Sequence, residues 1–169
     1  GQPDQISQKL RGAYRDLNAV GLAFILADIA ADTLEGVPIT PSGDQTRFRL
    51  QLFHADYAEL VTEYAPQNST DAFLKGLALG ALPASANSDM ERAILAAFQG
   101  STSSNSLIVD AKQGRMGEAI LKSITNLVRS RHRDPAALET TIATLRIAGL
   151  EEEARRIAIQ VLLHLSGPT

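Results

Sequence analysis

Two matching segments near the C-terminal end constrain this chain more than anything else in it. The first reads Ala111-Lys112-Gln113-Gly114-Arg115-Met116-Gly117-Glu118-Ala119-Ile120. The second reads Leu145-Arg146-Ile147-Ala148-Gly149-Leu150-Glu151-Glu152-Glu153-Ala154. Each has an apolar stripe, a glycine, an alanine five residues on, and a second apolar stripe. Apolar residues three and four apart predict a helix on either side of each glycine. Glycine accommodates the backbone of a tight turn, and alanine lets two helix axes approach closely. The stretch from Ser103 to Leu165 is therefore expected to form two helical hairpins, side by side.

The rest of the composition agrees with an all-α chain. Aromatic residues make up only 5% and the apolar share leans on Ala and Leu, which favours close-packed helices over strands. At 169 residues the chain is long enough for one domain with a real core and short for two. Residues 1–100 carry 7 basic and 12 acidic side chains, and residues 101–169 carry 9 and 7, so neither part has the basic excess of a non-specific nucleic-acid binder. With no cysteine, the chain has no disulfide, thiolate nucleophile or cysteine-ligated zinc. Nothing in this separates cytoplasm from bacterial periplasm. No apolar run is long enough to span a bilayer; the longest, Val20 to Ala31, is broken by Gly21 and Asp28. The Gly-Gln-Pro start reads as a piece excised from a longer protein.

Taken in order, the pattern predicts about nine helices. Pro3 and Asp4 open the first, through Ile6, Leu10, Tyr14 (or Ala13) and Leu17. Leu22, Ile25, Leu26, Ile29, Ala30 and Leu34 line the second, and residues 39–43 read as an irregular connector. Asp44 is expected to cap a long third helix running past Phe48, Leu52 (or Leu50), Phe53, Tyr57, Leu60, Val61 and Tyr64 to Pro66. Asn68 to Asp71 opens a fourth, burying Phe73, Leu74, Leu77, Ala78 and Leu82. Ser88 and Glu91 form a capping box for a fifth, with Ile94, Leu95 and Phe98 inward. Short helices follow over 106–113 and 116–131, the latter through Ile120, Leu121, Ile124, Leu127 and Val128. Asp134-Pro135 starts the next, since Asp caps and Pro at the first position loses no needed N–H. Leu150 to Leu165 is the last.

The two segments resemble tetratricopeptide repeats. Gly114 and Gly149 are 35 residues apart, close to that family's period of about 34. They fall where such repeats turn, Ala119 and Ala154 take the small-residue position, and Asp134-Pro135 matches the start of a following repeat. The match covers roughly 105–163 with an echo at 10–35; the first helix lacks the early aromatic and the link is longer than usual. The C-terminal part is also similar to the end of large, alanine-rich helical envelope proteins of alphaproteobacteria, which implies a setting rather than an activity. The repeat resemblance implies a concave face, with Ser104, Lys112, Glu139 and Arg146 turned into it to select a peptide.

Candidate chemistry is sparse. His54, His132 and His164 sit in no short ligand pattern, and two residues on one helix, as His54 and Asp56 would be, face apart. Arg129, Arg131 and Arg133 with His132 form the basic cluster, read either as an anion or acidic-peptide site or as cations offsetting a helix C-terminus. His132-Arg133-Asp134 spells a kinase tripeptide, but there is no glycine-rich loop. Glu151 to Glu153 suit a first helical turn and can pair with Arg155 and Arg156. The serines of 101–104 have no base in reach, and Asn68-Ser69-Thr70 is better explained as a helix start than as a glycosylation acceptor. The aromatics Phe48, Phe53, Tyr57 and Tyr64 read as core or as an exposed groove.

The expectation is thus a single all-α domain over 1–169, with 1–100 as N-terminal helices and 101–169 as two repeat-like hairpins, arranged as an irregular bundle or a short solenoid. The expected function is non-enzymatic: a protein-interaction or scaffolding module with a peptide or partner helix as ligand and no cofactor or metal. A structural end-cap of a longer helical-repeat protein is the alternative. A third reading is an all-α ligand binder or enzyme with its pocket among helices 44–98.

Overall fold

The structure, a computed structural model, describes residues 41–100 and 105–165. The first two predicted helices, the echo at 10–35 and Ser104 lie outside the described residues. The protein is all-α. Its helices are α1 (Pro41–Gln51), α2 (Tyr57–Leu60), α3 (Ser69–Ala78), α4 (Asp89–Gln99), α5 (Ser106–Lys112), α6 (Met116–Arg129), α7 (Pro135–Ile147) and α8 (Glu151–Leu165). No strand occurs among the described residues. The described residues form two compact units, one up to Gly80 and the other from Ala81 onward.

In the first unit the long helix expected from Asp44 to Tyr64 is broken. It begins at Pro41, where proline costs no helical N–H, and stops at Gln51. Asp44 lies inside the first turn and pairs with Arg47 at 2.7 Å. The break has a packing cause. Phe48, Leu50, Leu52, Phe53, Tyr57, Val61 and Tyr64 are all buried, and no single helix face holds both Leu50 and Leu52. The chain leaves the helix through short bonds from Phe53 N to Leu50 O and from His54 N to Gln51 O. His54 and Asp56 consequently meet, the Asp56 N–H donating to His54 Nδ1 at 3.0 Å. The aromatics form core: the Phe48 and Tyr64 rings stack at 3.9 Å.

A buried carboxylate ties this unit together. Asp71 is fully buried in the first turn of α3. It accepts from Gln45 Nε2 (2.5 Å), Asn68 Nδ2 (2.8 Å), Arg49 Nη2 (3.1 Å) and Nε (3.2 Å), and the Tyr64 hydroxyl (3.3 Å). Asn68 also caps α3, accepting the Asp71 N–H at 2.9 Å. Lys75 donates to the Thr62 and Tyr64 carbonyls at 2.8 and 2.7 Å.

Burial, with the negative charge of Asp71 beside it, pushes the Tyr64 phenol up to about 12. The neutral phenol is the form the fold favours. Its contribution is whole below the ordinary tyrosine value of about 10 and is lost as pH rises through about 12. An ultraviolet titration should show a late-ionising tyrosine step that Tyr64→Phe removes.

The second unit is organised on α7, which packs against α4, α5, α6 and α8. Because α4 packs on α7, it belongs with the C-terminal helices rather than with the first unit. Leu138, Thr140, Thr141, Ile142, Ala143, Thr144 and Leu145 are buried, so nearly the whole circumference of α7 is enclosed. Its threonines are accommodated by bonding back along the helix: Thr140, Thr141 and Thr144 donate to the Ala136, Ala137 and Thr140 carbonyls at 2.7–2.8 Å. The capping box holds: Ser88 Oγ accepts the Glu91 N–H, and Glu91 accepts the Asn87 N–H. Asp134 caps α7 through the Ala136 N–H at 3.0 Å.

Three helices in this unit end with the same double bond. After α5, Arg115 N bonds to Asp110 O and Gly114 N to Ala111 O. After α7, Leu150 N bonds to Leu145 O and Gly149 N to Arg146 O. After α6, His132 N bonds to Leu127 O and Arg131 N to Val128 O. This closure requires a left-handed residue at its centre. Gly114 (φ +89°) and Gly149 (φ +77°) serve there, but after α6 the residue is Arg131 (φ +53°), followed by His132 (φ +59°). The helix expected to run to Arg131 therefore ends at Arg129.

Candidate docking face on helix α6

Helix α6 has two apolar faces, and only one is covered. Ala119, Ser123 and Leu127, at i, i+4 and i+8, are buried. Ser123 is joined to α7 through its carbonyl, which accepts the Thr141 hydroxyl at 3.1 Å. The sequence stripe placed Ile120, Leu121, Ile124, Leu127 and Val128 in the core. Of these only Leu127 is buried; Ile120 and Ile124 are half-buried, and Leu121 and Val128 are 68% and 55% exposed. The apolar arc is wider than the surface that α5 and α7 offer it. Small Ala119 and Ser123 take the contact because the helices approach closely. Leu121, Ile124 and Val128, spaced i, i+3 and i+7, remain as a stripe along the outside.

Two charged features bound the stripe. At its start, Glu118 pairs with Lys122 at 2.6 Å, both about half exposed. At its end are Arg129, Arg131 and Arg133, all exposed and without an ion pair among the described residues. Part of their role is the helix dipole, worth about 0.3–1 kcal/mol for a cation in the last turn.

The same turn brings two histidines together. His132 meets His164, near the end of α8, edge to face at 5.7 Å. Burial, then the charge of His164, lowers the His132 value. A lowered value means that the unfolded chain takes up the proton first. The contribution of neutral His132 is whole above the ordinary histidine value of about 6.5 and is lost as pH falls from there through the lowered one. Thermal melts of the chain on either side of that window should show the loss, and His132→Gln should flatten it.

Three of the four residues expected in the repeat groove lie among the described residues. Lys112 is exposed in the last turn of α5 and Glu139 is half-buried on α7. Arg146 is committed internally. It donates to Glu151 Oε2 at 2.8 Å and to the Ala97 and Phe98 carbonyls at 2.6 Å, with its guanidinium 5.1 Å from the Phe98 ring centre. It closes the end of α4 and ties it to α8. No hydrogen bond or ion pair joins Lys112, Glu139 and Arg146 to one another among the described residues.

A cavity of about 470 Å³ lies at the starts of α5 and α7, lined in part by Asn105, Ser106, Lys122, Asn126, Asp134 and Thr140. Several of its polar groups already serve the fold: Asn105 caps α5 and donates to Thr140, and Asp134 caps α7. Among the described residues no group of three or more His, Asp or Glu side chains is placed to hold a metal, and no helix is long and apolar enough to cross a membrane. No family model, curated protein or solved structure matches this sequence.

Proposed function

We propose that this chain is a non-enzymatic protein-interaction module that receives a partner helix on the outer face of α6. The observation that carries this reading is the exposure of Leu121 and Val128 on one helical stripe. Exposed aliphatic side chains aligned at i, i+3 and i+7 are how a helix is recognised by another helix. The arginines at the end of the stripe add charge that can select the partner and its direction. A protein suits this surface better than a nucleic acid, since the arginines have no aromatic among them on which a base could stack. Within this reading α5–α6 and α7–α8 are two tetratricopeptide-like units. The glycine turns at 114 and 149 and the fully buried Ala119 and Ala154 support that.

The test is retention of proteins from source-organism extract by the wild-type chain and by Leu121→Asp with Val128→Asp. Both positions are exposed, so helical circular dichroism should be unchanged. A protein held by the wild type and released by the variant is the expected result. An identical retained set would contradict the reading. Arg146 and Lys112, the natural choices from sequence, do not serve as the control pair, because Arg146→Glu would open the end of α4.

A further inference from the structure

The closures after α5 and α7 each use one left-handed residue, Gly114 and Gly149. The closure after α6 uses two in succession, Arg131 (φ +53°) and His132 (φ +59°). Neither is glycine, and side chains adopt this region rarely. The closure itself needs only the first of them. The second is therefore not explained by the end of α6, and such outliers point toward function. The His132 ring that it carries meets the His164 ring edge to face at 5.7 Å.

Neither ring is engaged elsewhere. Among the described residues His132 and His164 have no side-chain hydrogen bond or ion pair, whereas His54 accepts the Asp56 N–H. The two imidazoles come from different elements, so the fold and not a sequence spacing brings them together. Each also stands at the C-terminal end of a helix, His132 just past Arg129 of α6 and His164 beside the last residue of α8. The partial negative charge of two helix ends favours a cation between them.

We propose that His132 and His164 together hold one divalent transition-metal ion, each through a ring nitrogen, with water in the remaining positions. With metal–nitrogen bonds of about 2.0–2.1 Å, the centres of two rings on one ion lie roughly 4.5–6 Å apart, depending on the angle at the metal. The observed separation falls in that range. His164 is exposed, so its ring can turn to share the ion without disturbing the core. Imidazole nitrogen suits Zn²⁺ and its transition-metal neighbours, while Ca²⁺ and Mg²⁺ take oxygen ligands. The exposed Arg129, Arg131 and Arg133 reinforce that choice, because they oppose an ion held by charge alone. No third His, Asp or Glu completes the pair among the described residues, so the ion is held more weakly than in a closed site. It fastens the end of α8 to the turn after α6. The site is independent of what docks on the outer face of α6.

Calorimetric titration of the full chain with Zn²⁺, with Mg²⁺ as the control ion, tests the site. The expected result is binding of Zn²⁺ and none of Mg²⁺. His132→Asn keeps a residue that tolerates the left-handed conformation, and His164→Gln lies at an exposed position. Each should weaken Zn²⁺ binding by about tenfold or more, at least the loss typical of an outer-shell partner. The double variant should lose little beyond either single one, the mark of one shared ion, and His54→Gln should bind as the wild type does. Zn²⁺ should also slow amide exchange in the last turn of α8, in the wild type alone. A chain that does not bind Zn²⁺, binding that survives either single substitution, or single losses that add in the double variant overturns the inference.

Discussion

Asp71→Ala should cost the first unit about 3–5 kcal/mol, the loss typical of removing one side of a buried charge pair. Four side chains donate to this carboxylate, which is itself fully buried, so its loss leaves four donors to find new partners. The Arg49 guanidinium, itself partly exposed, can turn outward and recover some of its hydration. Tyr64, stacked on Phe48 and nearly buried, cannot move far. Asp71→Asn should fall between, since its amide hydrogens would oppose donors already aimed at that site. Tyr57 and Tyr64 both lie in this unit and the described part of the second unit has no tyrosine, so the change in tyrosine fluorescence that Tyr64→Phe removes from urea unfolding reports on this unit. A loss under about 1 kcal/mol for the alanine variant would show that the network adds little beyond the apolar core.

Arg146→Ala should cost the second unit about 2–3 kcal/mol, as expected when a charged donor leaves part-buried acceptors behind. The guanidinium reaches three places at once: two carbonyls at the end of α4, Glu151 at the start of α8, and the face of Phe98. Arg146→Lys should recover only part of this, because an ammonium lacks the planar fork that serves both directions. The local signature is faster amide exchange at Gly100, whose N–H bonds to Ala96 O in the left-handed cap of α4. Unchanged exchange there would mean that the arginine does not close α4.

These two residues also mark where the sequence was and was not legible. Asn68, Ser88 and Asp134 were readable as caps because capping is local, a side chain reaching an N–H two or three residues on. Gly114 and Gly149 were readable because a left-handed turn selects glycine. The partners of Asp71 lie as far as 26 residues away on another helix, and no periodicity encodes them. The acceptors of Arg146 were hidden for the same reason: they are carbonyls 48 and 49 residues back. The break after Gln51 was hidden because the apolar positions from Phe48 to Tyr64 suit a helix taken a few at a time and only together exceed one face. On α6, the pattern located the apolar arc correctly. Which part of that arc is covered depends on how much surface α5 and α7 provide, and a single helix cannot state it. Arg131 offered no signal at all, since an arginine near a helix end is what the dipole alone would favour.

The chain has no cysteine, which makes the outer face of α6 directly measurable. Leu121→Cys introduces a single thiol into the stripe. Its maleimide labelling rate can be compared between the dilute purified chain and the same chain in intact source cells, with Lys112→Cys, at an exposed position of α5, as reference. If α6 is a docking face, the thiol at position 121 should label freely when dilute and be protected in cells, while the one at position 112 labels in both. Equal labelling at position 121 in both settings would contradict the account.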